Sequence, residues 1–378
     1  MRPRPESGES QDLRGWFVPP ESAEPSEAEA ARRLLKMAES DWADLDRFAE
    51  ALRRPECRLD YSYDSYGWPN ESQAFREVTY YLPSAFRERA FLRAKAGEGS
   101  ACAADLQSLI DTADRLHGIP SLMSQVIRLG VLAVRHGVVW EALRLQILGE
   151  EEVLEMDRAI ATLDLCAGLA GSLQAERAIL VRMIERGKNR RGELVDEFGL
   201  EIDPSDDWDE NLSRAWEQLE VRFAPTGWFD LQKVESTRDS NRWITLLTEG
   251  DRVAIRRERA REGEDDFEDP RGLERFQGWG PAVDMALGRT LRVETTLAIE
   301  RVAIAAERYR LRHGSYPADG AALLPDFLAE WPLDARSGEP LVYTRKADGT
   351  PWIRGTVTVS RGRRGAQVDA WQYTPGPP

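Results

Sequence analysis

Residues 84–117 read SAFRERAFLRAKAGEGSACAADLQSLIDTADRLH, two segments of periodic apolar sequence separated by Gly97-Glu98-Gly99. On both sides of these glycines the sequence is helical in character, which predicts helices over 84–96 and 100–117. The glycines themselves predict a tight turn between the two helices. This stretch therefore predicts a helical hairpin, and with it a mainly α fold.

Helical periodicity extends from this hairpin in both directions. Upstream, Ser26 and Glu29 have the spacing of a capping box, in which each side chain accepts a hydrogen bond from the other residue's backbone N–H. The helix that starts there is predicted to run to about Arg53. Glycine and proline breaks divide most of the sequence up to residue 188 into further predicted helices, near 71–82, 121–148 and 150–187.

The hairpin at 84–117 resembles a single tetratricopeptide repeat. One such repeat cannot bury its own apolar face, and the chain has no internal similarity with the repeat's period of about 34 residues. We therefore predict a helical-hairpin bundle that is tetratricopeptide-like in part, rather than a solenoid of repeats.

A long helix and then a small antiparallel sheet are predicted after residue 283. Gly314 follows His313 and is expected to supply the left-handed cap that ends the helix. Glu300, Glu307 and Arg310 are placed on the side opposite its apolar seam, which comprises Leu287, Leu291, Thr295, Ala298, Val302, Ala305 and Tyr309. The β-type segments are 341–343, 352–353, 356–359 and 367–373, with Asp348-Gly349 as a hairpin turn between the first two.

Composition shifts along the chain predict four parts. Residues 1–25 are rich in Pro, Ser and Glu and form a flexible leader, in which Trp16-Phe17-Val18 is the one apolar anchor able to dock back onto the body. Residues 26–260 form the helical body. A charge-dense linker occupies 261–282, and the helix-plus-sheet module occupies 283–375.

The module carries a family resemblance. Residues 307–317 (ERYRLRHGSYP), 331–334 (WPLD) and 337–343 (SGEPLVY), together with the Leu-Pro and Phe-Leu pairs between them, resemble the helix exit and sheet of the major pseudopilins of type II secretion systems. The resemblance implies that the helix packs across a small sheet, with Tyr-Pro fixing the turn. The whole chain resembles a group of bacterial proteins that carry a helical body ahead of such a tail.

Departures from the pseudopilin pattern limit what this resemblance implies. Pseudopilins begin with a processed hydrophobic segment that builds the filament, and no part of this sequence matches it. Their sheet ends in an acidic calcium-binding loop, whereas residues 360–365 read SRGRRG, with only Asp369 nearby. We therefore predict neither a calcium site in that loop nor filament formation by the pseudopilin route.

Composition excludes several classes of function. The 378 residues carry 66 acidic and 51 basic side chains, a net charge of −15, which argues against nucleic-acid binding. No signal peptide or membrane span is predicted. The three cysteines, an odd and widely spaced set, fit reduced thiols, so we favour the cytoplasm over an envelope-associated location. They are Cys57, Cys102 and Cys166.

No catalytic, cofactor-binding or metal-ligating residue is predicted. The sequence lacks a His-Glu-x-x-His pair, a nucleophile elbow and a Walker loop. His117 and His313 precede glycines at helix ends, where a cationic ring suits the helix dipole. The acidic cluster Asp203–Glu210 is assigned to a helix N-terminus, with cation binding as the alternative. The patch Arg361–Arg364 is assigned to sheet-edge protection, with phosphate or RNA binding as the alternative.

The function predicted from these observations is that of a non-enzymatic scaffold with an unidentified protein partner, whose oligomeric state the sequence does not define. One alternative is a hydrolase-like enzyme with its site in a helical groove near His136, Glu141 and Arg144. Another is an adaptor of a secretion or envelope assembly, by analogy with the tail alone. Converging titratable groups would favour the enzyme, and a flat apolar groove would favour binding.

Overall fold

A computed structural model describes residues 26–55, 77–191, 222–262 and 279–355, with isolated positions between 207 and 219 and the pairs 359–360 and 367–368. The predicted leader lies outside these residues, as does the central part of the predicted linker. The mainly α fold with a small antiparallel sheet is confirmed.

The helices follow the chain in ten segments within the described residues. They are α1 (Glu27–Met37), α2 (Glu39–Leu52), α3 (Leu82–Ala96), α4 (Gly99–His117), α5 (Leu122–Arg144), α6 (Glu150–Ala161), α7 (Leu165–Asn189), α8 (Thr226–Glu249), α9 (Arg252–Glu262) and α10 (Trp279–His313). A π-helical turn, Glu77–Tyr81, precedes α3, and a 3₁₀ turn, Gly320–Leu323, follows α10. The strands are β1 (Val342–Arg345), β2 (Pro351–Arg354), β3 (Val359–Ser360) and β4 (Gln367–Val368).

The first helix begins as predicted but ends early. The Ser26 hydroxyl accepts a hydrogen bond from the Glu29 N–H, and the Glu29 carboxylate accepts one from the Ser26 N–H, both at 3.3 Å, which confirms the capping box. The single helix predicted up to Arg53 is wrong. Ala38 leaves helical geometry (φ −103°, ψ 22°) and divides the segment into α1 and α2.

The helix predicted at 150–187 is also two helices. Asp164 has extended backbone geometry, and its side chain accepts a hydrogen bond from the Ala167 N–H at 2.9 Å. This is an N-cap, which supplies a partner for an otherwise unpaired donor of a new helix. The chain therefore ends α6 at Ala161 and begins α7 at Leu165.

The core is built around α10. Helices α3, α4 and α5 pack on one another, and α10 contacts α5, α6, α7 and β2. Leu109 and Leu132 of the predicted body belong to the same buried apolar cluster as Val302 and Ile304 of α10 and Ile353 of β2. The two sides of the predicted linker therefore share one core, whose stability comes from apolar area removed from water.

The prediction that the carboxylates of α10 lie on the side opposite its apolar seam, facing outward, is wrong. Glu300 is 1% exposed and Glu307 is 0% exposed. Most residues of the helix over 291–308 are buried, and these two carboxylates lie among them rather than beside exposed Arg292. The buried carboxylates have partners instead: Arg135 pairs with Glu300, and Arg310 donates two hydrogen bonds to Glu307.

The end of α10 and the first hairpin are as predicted. Gly314 takes a φ of +78°, and its N–H donates to the Arg310 carbonyl, which confirms the glycine cap. β1 and β2 pair antiparallel, with Val342 opposite Arg354. Gly349, at φ +85°, turns the hairpin after Asp348, whose carboxylate accepts the Thr350 N–H at 2.9 Å. β3 and β4 form a separate antiparallel pair.

Candidate functional site

His136 lies against a buried ion pair between α5 and α10. Its Nδ1 is 3.5 Å from one carboxylate oxygen of Glu300, and the guanidinium of Arg135 contacts the other. Burial alone would raise the pKa of Glu300, but Arg135 and His136 hold it below the ordinary range. The arrangement ties α5 to α10 and leaves no carboxylate oxygen of Glu300 unpaired.

Glu141 and Arg144, the other two residues of the hydrolase hypothesis, have different neighbours. Arg144 donates to both carboxylate oxygens of Glu141, at 2.8 and 2.6 Å. Lys95 of α3 lies 2.7 Å from Glu141 and 2.8 Å from Glu27 at the start of α1. We call these four side chains the Lys95 cluster. All three residues belong to α5, but His136 contacts Glu300 of α10 whereas Glu141 contacts Lys95 of α3, so the three do not form one site.

The Lys95 cluster gives a pH dependence to stability. The hydrogen bonds from Arg144, and then those from Lys95, outweigh burial and lower the pKa of Glu141 from 4.5 to about 2. A carboxyl group whose pKa falls on folding stabilises the protein above pH 4.5 and loses that contribution as the pH falls toward 2. We expect Glu141→Gln to lack this contribution, at most about 3 kcal/mol. Urea unfolding of both proteins between pH 6 and pH 3 checks it: their difference in stability should shrink as the pH falls, and a constant difference would contradict it.

An apolar groove lies between α3 and α5, beside this cluster. Its volume is about 590 Å³, and we call it the α3–α5 groove. Phe91 is 42% exposed there, and a Cβ added to Gly137 would meet no atom within 4 Å beyond its chain neighbours and its own helix backbone. The residues that line the groove are Arg87, Glu88, Phe91, Leu92, Val134, Gly137 and Val138.

The Lys95 cluster closes one end of the α3–α5 groove. Lys95 follows Phe91 by one helical turn, and Glu141 follows Val138 by three residues, so their 2.7 Å contact bridges the two helices just beyond the apolar side chains. The Lys95 ammonium lies 5.5 Å from the centre of the Phe91 ring, within cation–π distance. Glu27 is held at the same end by its own contact with Lys95.

A second cavity, of about 410 Å³, lies between α9, α10 and residues 329–335. Its charged side chains are largely paired with one another or with neighbours. Arg252 forms a bidentate pair with Glu294, at 3.0 and 2.7 Å, and Arg301 donates to Asp157 at 3.1 Å. In the described part of the chain no cluster of His, Cys, Asp or Glu is arranged to hold a metal ion. This cavity has the character of a structural ion-pair region.

The remaining predicted residues have structural surroundings. Burial and the neighbouring Arg128 lower the pKa of His117, so the cationic role predicted for this ring is not favoured. The ring of His313 packs against that of Tyr309 in a tilted arrangement, with ring centres 4.2 Å apart. Cys102 and Cys166 are free thiols, and both are buried. Burial raises the pKa of Cys102 to about 12, so it is an unreactive thiol.

Three predicted features fall outside what can be described. Cys57 and the patch Arg361–Arg364 lie outside the described residues, as does most of the cluster Asp203–Glu210. Asp207 is described and is exposed. The alternatives of cation binding and of phosphate or RNA binding therefore stay predictions.

Among the described helices, α5 is long and apolar enough by length and composition to cross a membrane. Half of its most apolar window is nevertheless buried inside the protein. Its two arginines within that region, Arg128 and Arg135, are 2% and 0% exposed, so their side chains lie in the interior of the bundle. The helix thus packs as a core helix.

Sequence reasoning identified the neighbourhood of the groove but not its principal residues. Phe91 and Lys95 lie in the predicted hairpin 84–117, where the sequence predicts them only as parts of a helix. Their exposure depends on how far α5 covers α3, and helical spacing alone does not specify that.

Comparison with protein-family models, with curated proteins and with solved structures finds no match to this chain. The resemblance to pseudopilins and the likeness to a tetratricopeptide repeat therefore stay predictions, and the function has to be argued from the α3–α5 groove itself.

Proposed function

We propose that this chain is a non-enzymatic interaction protein, and that the α3–α5 groove binds the apolar face of an amphipathic helix from a protein partner. The observation that carries the proposal is the exposed apolar lining of the groove. Phe91 is exposed and Leu92 and Val134 are half-buried, and all three line the groove together with exposed Gly137.

The chemistry of the groove favours a helix as the ligand. The exposed side of α5 carries Gly130, Ala133 and Gly137 at spacings of three and four, so a partner helix can approach its backbone closely. Such a helix would present side chains at i, i+3, i+4 and i+7 to the apolar lining. Covering one exposed phenylalanine or leucine contributes up to about 1.5–3 kcal/mol.

Charges at the rim favour a polar outer face on that helix. Arg87 and Glu88 lie 3.7 Å apart at the edge of the groove, and both side chains are about half exposed. They can pair with charges of either sign on the ligand while they stay in contact with solvent. Such pairs fix the position of the partner helix along the groove more than they raise its affinity. The alternative of an adaptor in a secretion assembly has support from the sequence resemblance alone.

A site-specific photocrosslinker tests this proposal. The photoreactive residue is placed at position 91 of the tagged full chain, and at position 48 in a matched control, because Phe48 of α2 is equally exposed (41%) but lies outside the groove lining. We expect an adduct with one protein from position 91 and none from position 48.

Binding of the cross-linked segment then decides the matter. With a peptide of that segment, we expect Phe91→Glu to weaken binding at least tenfold and Phe48→Glu to leave it unchanged. Isothermal titration calorimetry measures both. Equal cross-linking from the two positions, or equal affinities of the two variants, would contradict the proposal.

A further inference from the structure

The chain enters the described structure at the closed end of the α3–α5 groove. Ser26 caps α1, and Glu27, the first residue of that helix, pairs with Lys95 at 2.8 Å. The ammonium of Lys95 in turn lies over the ring of Phe91, which lines the groove. Residues that precede Ser26 therefore begin within reach of the apolar lining.

The leader carries a matching apolar segment at a short distance from this point. Trp16-Phe17-Val18 is the one group of consecutive large apolar residues in 1–25. Eight residues lead from Val18 to Ser26, and a chain of that length spans up to about 26 Å. The groove extends over two turns of α3, from Lys95 to Arg87, about 12 Å. The linking segment is therefore long enough to place the aromatic pair anywhere along the groove.

The residues between the anchor and α1 also favour an extended approach. Pro19 and Pro20 follow Val18 directly, and a proline disfavours helical backbone in the residue before it, so Val18 and Pro19 favour extended backbone. A chain that leaves α1 in extended form can lay successive side chains along a groove, as proline-rich ligands do in aromatic-lined sites.

We propose that Trp16 and Phe17 occupy the α3–α5 groove of their own chain, so that a partner helix must displace them. The occupancy itself does not depend on a partner, but its regulatory meaning rests on the function proposed above. A short tether gives the anchor an effective concentration in the millimolar range. An intrinsic dissociation constant of about 0.1 mM then fills the groove about 90% of the time and weakens partner binding roughly tenfold.

Disulfide trapping tests the occupancy directly in the full chain with Cys57→Ser. Val18→Cys leaves both aromatic anchors intact and is combined with Glu88→Cys at the rim of the groove. In the control it is combined with Glu50→Cys on α2. Glu50 is at least as exposed as Glu88 (74% against 62% for the side chain) and is closer to Val18 in sequence. Because the leader enters beside Lys95, part of any preference for position 88 can come from proximity alone, and loss of the two aromatics separates docking from proximity.

We expect the 18–88 disulfide to form at least tenfold faster than the 18–50 disulfide, in a product of monomer size and at a rate independent of protein concentration. Adding Trp16→Ser and Phe17→Ser should remove that advantage. Equal rates in the two pairs, or an advantage that survives loss of the aromatics, would overturn the proposal. A product of dimer size would also overturn it, because the groove would then hold a second copy.

The two proposals fail in distinguishable ways. If trapping fails while cross-linking from position 91 captures a partner, the groove binds partners without being covered by the leader. If trapping succeeds and no partner helix is found, the groove is a docking site for the leader alone. When both hold, Trp16→Ser with Phe17→Ser should raise the affinity for the partner peptide about tenfold.

Discussion

Replacing Glu300 with leucine is expected to lower the free energy of unfolding by about 3–5 kcal/mol. The side chains of Arg135 and Glu300 are 0% and 1% exposed, so the substitution leaves a guanidinium buried without its carboxylate. Removing one partner of a buried pair is much more costly than removing both. Urea denaturation at pH 7 measures this loss of stability. We expect the free energy of unfolding to fall with urea concentration at the same slope in the two proteins.

The double variant Arg135→Met with Glu300→Leu is the control for this prediction. It replaces the pair with apolar side chains of similar size, and we expect it to recover most of the lost stability. If the double variant is no more stable than the Glu300→Leu protein, poor packing rather than the unpaired charge accounts for the loss.

Replacing Asp105 with alanine is expected to lower the free energy of unfolding by about 3 kcal/mol, the lower end of the range for a buried ion pair. Asp105 accepts hydrogen bonds from Arg89, the shortest at 2.6 Å, and from Arg93 at 2.8 Å. Its side chain is 1% exposed. Asp46 also pairs with Arg89, at 2.7 Å, and because the substitution does not remove this partner we expect the lower value.

Thermal and urea unfolding of Asp105→Ala are best compared with Asp44→Ala. Asp44 pairs with Arg47 at 2.8 Å, but both side chains are more than 60% exposed, and such pairs contribute less than about 1 kcal/mol. A loss of equal size in the two variants would show that burial of the Asp105 pair is not what makes it important.

Local signals in this sequence were sufficient for local structure. The capping box at Ser26 and Glu29 and the turn at Asp348-Gly349 each involve residues within three or four positions of one another, and the structure confirms both. Apolar periodicity continues across Ala38 and Asp164, so the sequence pattern does not show that one helix ends and another begins there.

Long-range packing explains the larger errors. Glu300 was placed on a solvated face because the sequence shows a polar residue off the seam, while its partner Arg135 lies 165 positions away. The α3–α5 groove depends in the same way on two separate helices, since Phe91 and Val134 meet only when α3 packs beside α5. The spacing of residues within either helix does not specify how the two helices pack, so the groove could not be predicted from periodicity.

The central position of α10 has a consequence for biosynthesis. The chain is made from its N-terminus at about 5–20 residues per second, so α5 is complete on the order of 10 s before α10 has been translated. Throughout that interval Arg135 has no Glu300 to pair with, and the apolar surface that later covers Val302 and Ile304 is open to other chains. The nascent chain therefore exposes this apolar surface until its last long helix is released, and we expect ribosomes stalled between residues 262 and 279 to carry the most aggregation-prone form of this chain.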